Sequence, residues 1–372
     1  MNARPAAIAR VLPVLIMTAM LAPALAEAQP EAAETSIPRT PEGRPDLQGV
    51  WDFSSLTPLQ RPAELAEREF LTDEDISALE ARAATRVDRA PPPGNPGSYN
   101  RFWFDDGTRV AGTRRTSLIV DPPDGRLPGY TPEGRARMAA RAEARDRNAG
   151  PEDRDVDERC ILGFNSGPPM LPGAYNNFVQ VFQTPGHVAI LNEMVNDSRL
   201  VPVDGRPTLS EGVRQWRGDS RGRWEGDTLV VETTNFRDLG TAHPAPNMEL
   251  LEALGPELHL VERFSLLDAD TLLYRFTVDD RTAFTEPWSV ETTMARSADP
   301  LFEYACHEGN YGLYNILAGA RAESRAAGRS RPRVRPGRPG GRRRSGRSPP
   351  GFLRASRLAS SGRHTDLERS RP

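Results

Sequence analysis

Glu262 stands in an apolar line, two residues after Leu260 and two before Phe264. In an extended strand alternate residues share a face, so this carboxylate points where the leucine and phenylalanine point. Burying a carboxylate without partners costs several kcal/mol. Glu262 is therefore expected either to carry a raised pKa, which suits a general acid or base, or to form an internal ion pair with Arg199, Arg263 or Arg275. Two neutral amides interrupt apolar lines in the same way: Gln180 between Phe178 and Phe182, and Asn192 between Ile190 and Met194. Such groups either orient a ligand or satisfy backbone. Tyr274 and Trp288 lie on the apolar lines Leu272, Tyr274, Phe276, Val278 and Trp288, Val290, Thr292, Met294, and with Gln180 and Asn192 they form the expected ligand-contacting set.

The second candidate acid or base is His307, in the run Cys306-His307-Glu308. Extended backbone turns Cys306 and Glu308 away from His307, so these neighbours do not form a triad; a surface or capping role is the alternative. The remaining histidines of the body, His187, His243 and His259, pair with nothing at metal-ligand spacing, and HExxH, CxxC and HxH do not occur. No metal and no cofactor is expected. A nucleophile elbow, a phosphate loop and a dinucleotide fingerprint are likewise missing from the sequence.

The elements that position these residues read as an antiparallel meander. Between Phe178 and His307 apolar and polar residues alternate in short runs cut by Gly, Asp, Asn and Pro. The pattern predicts strands at 178–184, 187–194, 199–203, 213–217, 221–225, 228–235, 258–267, 271–280, 287–296 and 301–306. So many consecutive antiparallel strands escape exposed edges by closing, so the expected fold is mainly β, a lipocalin-like barrel. A short strand at Gly49-Val50-Trp51 precedes it. Peripheral N-terminal helices are expected after Thr72 and from Pro132 to about residue 147, and one short C-terminal helix over 311–320. The acidic run 150–159 reads as unstructured. The Gly, Pro and Asn-rich run 161–176 reads as a lid, or as a loop covering one end of the barrel.

Residues 1–26 carry Arg4 and Arg10, an apolar stretch and the site Ala24-Leu25-Ala26, the pattern of a secretory signal peptide. The stretch of about a dozen residues is too short for a bilayer core of roughly 30 Å, and no transmembrane segment is expected elsewhere. A periplasmic or secreted address follows, and in an oxidising compartment Cys160 and Cys306 are expected to form a disulfide, with free thiols or metal ligation as alternatives. Residues 27–160 then form an N-terminal extension, with a linker at 90–99, and residues 161–320 the barrel. All 48 basic residues are Arg. From 321 to 372 there are 16 Arg against three acids, which reads as a disordered tail, either an arm for anionic surfaces or the product of a frameshift. Between residues 27 and 320 the balance reverses to 30 Arg against 48 acids. That acidic body is not expected to bind nucleic acid.

The segments DERCILGFNSGPPMLPGAYNNFVQVFQTPGHVAILNEM, RLVPVDGRP, SRGRWEGDTLVVETTNF and YACHEGNYGLYNILAGARAE resemble a family of exported bacterial proteins, over roughly residues 38–323. The resemblance implies an exported domain and carries no chemistry. Members often read His where this chain has Thr208, and their final helix continues beyond Ala320. The strand opening Gly49-Val50-Trp51 resembles that of lipocalin-type barrels, a likeness of architecture. These readings lead to an exported barrel that binds a small apolar or aromatic molecule in its interior. A metal-independent isomerase, lyase or hydrolase using Glu262 or His307 is the alternative, and an envelope protein interacting through its acidic surface is a third.

Overall fold

The alternation of apolar and polar residues is realised in ten strands: β1 Gly49–Asp52, β2 Ile119–Asp121, β3 Phe178–Thr184, β4 His187–Asn192, β5 Asp197–Pro202, β6 Asp219–Glu225, β7 Thr228–Thr234, β8 His259–Leu266, β9 Thr271–Asp279 and β10 Trp288–Ser297. The computed structural model describes residues 37–87, 103–105, 107–238 and 252–330. The signal segment, the linker at 90–99, most of the excursion after Arg237 and the Arg-rich tail beyond Ser330 lie outside the described residues.

Every ladder is antiparallel, and the strands follow the order β5-β4-β3-β1-β10-β9-β8-β7-β6, with β2 also pairing β10. Nine strands alternating in direction leave the two edge strands, β5 and β6, pointing the same way. These edges meet. Arg217, just ahead of β6, ion-pairs with Asp197 at the start of β5, and a Cβ at Gly222 would lie 2.7 Å from Val203 and 3.0 Å from Val201. The sheet thus curls into a nearly closed barrel, and side-chain packing holds a seam that no hydrogen-bonded ladder crosses.

Period two decides which side chains fill it. Leu272, Tyr274, Phe276 and Val278, with Trp288, Val290, Thr292 and Met294 on the next strand, are buried as expected. Phe264, Tyr274, Phe276, Trp288 and Phe284 form a continuous aromatic chain, with successive ring centroids 5.0, 5.6, 5.8 and 5.7 Å apart. Trp51 is fully buried, its indole N–H donating to Leu47 O at 2.9 Å. The Arg296 guanidinium lies 4.3 Å above that ring and donates to Gln48 O and Ala269 O, both at 2.8 Å. Gly49 is needed beneath it: its φ is +134°, and a Cβ there would collide with the Arg296 guanidinium.

Helix α1, Asp73–Ala84, begins at Thr72 with a reciprocal capping box to Asp75. Helix α2, Pro132–Arg147, begins at Thr131 with Pro at its first turn. Its lack of an apolar face is answered by arginine: Arg137 donates to Ala253 O at 2.5 Å, and Arg141 to Glu252 O and Leu254 O at 2.6 and 3.1 Å. Helix α3 spans Tyr311–Ser330, ten residues beyond its expected end, because Arg321 to Ala327 are mostly good helix formers. Residues 325–372 make a separate unit, of which only the last turns of this helix are described. Among the described residues no helix is long and apolar enough to cross a membrane.

Several expectations are corrected. Residues 213–217 contribute only an isolated bridge, Gln215 to Phe236, and 301–306 form no strand. The acidic run 150–159 is ordered by its own ion pairs, Arg154 with Glu158 and Asp153 with Arg147, and Asp155 is buried. The disulfide, by contrast, is as expected: it joins Cys160 to Cys306 across 146 residues, Cα atoms 5.8 Å apart.

Closure of the seam is tested at Gly222. Gly222→Ala is expected to lower stability by about 1–3 kcal/mol through overpacking against Val201 and Val203. Gly186→Ala, where a Cβ meets nothing within 4 Å, serves as the control, with both measured by urea unfolding.

Candidate functional site

Inside the barrel Glu262 adopts the ion-pair form. It is 0% exposed and faces Arg199, which reaches it from edge strand β5 with a bidentate grip, Nη2 to Oε1 at 2.9 Å and Nη1 to Oε2. Tyr274 OH donates to Oε1 at 2.8 Å, and Met170 N–H donates to Tyr274 OH at 3.1 Å. Burial, with the Glu262 charge beside it, holds the Tyr274 phenol well above its usual value. Burial opposes the Arg199 charge, but the Glu262 carboxylate outweighs it and leaves the guanidinium more basic than usual.

Met170 belongs to the loop 161–176, so that run covers one end of the barrel. Asn165, Ser166, Met170 and Leu171 are buried. Asn177 is the loop's anchor, using all four of its bonding positions: it donates to Asp105 O and Gly173 O and accepts from Gly173 N and Asn165 Nδ2. Asn165 in turn donates to Tyr175 O and Asn176 O.

The other expected site residues fall in different places. Tyr274 and Trp288 are 0% exposed, enclosed by the packed interior. Asn192 faces inward as expected at 5% exposed, and its Oδ1 has no hydrogen-bond partner among the described residues. Gln180 is corrected: Val179 and Val181 take the core side of β3, which turns Gln180 to the outer face with the 45%-exposed Phe182. The sequence misled because both faces of β3 carry apolar residues, so alternation alone does not choose between them. His307 lies on an exposed turn, where its carbonyl accepts from Asn310 N and Asn310 caps α3 through Leu313 N at 3.2 Å. The structure does not bring His307 to Glu262.

What it does bring together, where loop 161–176 leads into β3, is an aromatic cleft of about 440 Å³. Trp103, Tyr175, Phe178 and Tyr304 line it, with Asp105, Asn176 and Glu193 as its polar groups. A second cleft, of about 600 Å³, adjoins through Tyr175 and Tyr304 and reaches Asp157, Cys306 and Asn310. Four ties position the wall that carries Tyr304: Phe302 N–H to Glu193 Oε2 at 3.2 Å, Asn196 Nδ2 to Tyr304 O at 3.2 Å, Asn310 Nδ2 to Glu158 O at 2.7 Å, and the disulfide. Asp105 N–H donates to Ala174 O at 2.7 Å and fixes the opposite wall. The Tyr175 ring stands edge-on to Phe164, centroids 5.2 Å apart.

Sequence reasoning missed Trp103, Tyr175, Glu193 and Tyr304 as a group. Three of them sit in irregular segments, and Glu193 lies just past a strand end, where periodicity carries no information. The only signals were the composition of 161–176, which marks a rim, and the closing run around Cys306.

A scan against protein-family models finds no match, and searches of curated proteins and of solved structures find no similar chain. The functional reading therefore rests on this geometry.

The ion pair has a distinctive mutational signature. Glu262→Gln leaves Arg199 buried without its countercharge and is expected to cost about 3–5 kcal/mol. Replacing both partners, Arg199→Met with Glu262→Leu, is expected to recover most of that loss in denaturant unfolding; a double variant as unstable as the single one would contradict a purely structural pair.

Proposed function

We propose that this chain is an exported binding protein for a small aromatic or apolar molecule, and that the molecule sits in the cleft walled by Trp103, Tyr175, Phe178 and Tyr304 instead of inside the barrel. The observation that carries this reading is the contrast between the two places. Interior residues are packed to 0% exposure around a satisfied ion pair, while the cleft presents four aromatic rings and three polar groups around about 440 Å³ of space. Ligand sites are commonly of roughly 300–1,000 Å³, apolar-walled with a few polar anchors. The disulfide suits an oxidising compartment and so supports export.

An enzymatic role for Glu262 finds no support in this geometry, since the carboxylate is sealed from solvent and held by Arg199 and Tyr274. His307 stands on an exposed turn.

Titration with small phenols, indoles and aryl ammonium compounds, followed by tryptophan fluorescence and calorimetry, tests the proposal. For any compound that binds, Tyr304→Ala is expected to weaken affinity by about tenfold or more, the scale of one lost aromatic wall. Tyr274→Phe, which alters only the interior, is expected to leave the affinity unchanged. The opposite pattern would return the site to the barrel interior.

A further inference from the structure

We infer that the aromatic cleft selects an organic cation, a molecule bearing an alkylated ammonium group, with Glu193 as its countercharge. This inference rests on the cleft being the ligand site.

Among the described residues eight acids are buried: Asp153, Asp155, Glu193, Asp197, Asp219, Glu252, Glu262 and Asp280. Six have an arginine. Arg147 serves Asp153, Arg145 serves Asp155 and Glu252, and Arg217, Arg221 and Arg199 serve Asp197, Asp219 and Glu262. Asp280 has none, but four donors hold it: the backbone N–H groups of Gly255, Thr282 and Ala283, and the Thr282 hydroxyl. Glu193 alone is both without an arginine and lightly held. At 5% exposed it accepts only from Asn176 Nδ2 and Phe302 N–H, both neutral. A buried carboxylate is usually paired, and the space Glu193 borders is the cleft.

The walls agree with that charge. Ring faces of Trp, Tyr and Phe attract cations through their quadrupoles, most strongly where water is excluded, and aromatic cages are the usual receptors for quaternary ammonium groups. Elsewhere this protein makes the same contact with its own arginines, Arg237 lying 4.7 Å above Trp216 and Arg296 above Trp51. In the two adjoining clefts the described lining residues include Asp105, Asp157, Glu158 and Glu303 but no Arg or His.

A metal ion is a poorer occupant. Hard cations require several converging oxygen ligands, and among the described residues no group of three or more His, Cys, Asp or Glu is placed to hold one. Aromatic walls beside the lightly held Glu193 carboxylate suit a bulky, weakly hydrated cation instead.

The test compares two probes of nearly the same shape, 4-(trimethylammonio)phenol and 4-tert-butylphenol, titrated calorimetrically into the full chain. The cation is expected to bind about tenfold or more tightly. Glu193→Gln is expected to remove most of that preference, read as the ratio of the two affinities. The variant preserves the fold because a flipped Asn176 amide can accept from the new side-chain amide while the remaining carbonyl still receives Phe302 N–H; circular dichroism checks this. Equal affinities, or tighter binding of the neutral probe, would overturn the inference and leave the small-molecule reading standing. Binding of neither probe would overturn the cation inference, whereas binding of other aromatics from the wider panel would still uphold the cleft as a site.

Discussion

The bidentate pair between Arg199 and Glu262 is the constraint on which the rest of the molecule depends. It joins β5, an edge strand, to β8, which lies on the far side of the seam, so together with the Arg217 to Asp197 pair it spans the gap that backbone hydrogen bonding leaves open. Tyr274 shares the carboxylate and passes the contact to Met170, so the loop covering the barrel end is tied to the same pair. An ion pair in a dry interior is weak as a net source of stability, because desolvation offsets most of the Coulomb attraction. What the contacts show is geometry: Arg199 of the edge strand meets one buried acid, and that acid is shared with the tyrosine that holds the covering loop.

Filling the interior in this way moves the available space outward. Residues 161–176 enter to reach Tyr274 and leave through Tyr175 and Asn176 into β3, so the polar network that seals the barrel also sets the ring that lines the cleft. The opposite wall comes from the segment after β10, brought back by Glu193, Asn196 and the Cys160 to Cys306 bridge. Loops positioned by a rigid scaffold are where binding residues commonly lie, and here scaffold and cleft wall share a hydrogen-bond network.

Most strands and the two N-terminal helices were legible because they rest on local rules. Thr72 and Thr131 cap helices where their hydroxyls reach the third residue, and β3 matches its expected span to the residue. Inward lines were legible wherever one face was clearly apolar, as from Leu272 to Val278. Reading failed at β3, where Phe178 and Phe182 compete with Val179 and Val181 for the core. The partner of Glu262 was readable only as a set of three arginines, since choosing Arg199 requires knowing that β5 and β6 meet. The cleft was beyond reach for a related reason: Trp103, Glu193 and Tyr304 are joined by a disulfide, two loops and a strand end, all long-range contacts that no periodicity encodes.

Locating a ligand directly separates the sealed interior from the aromatic mouth. Anomalous diffraction from crystals soaked with 4-bromophenol places the bromine without reference to any variant. The account predicts its peak between Tyr175 and Tyr304, in the cleft bordered by Glu193; a peak inside the barrel, beside Tyr274 or Trp288, would contradict it.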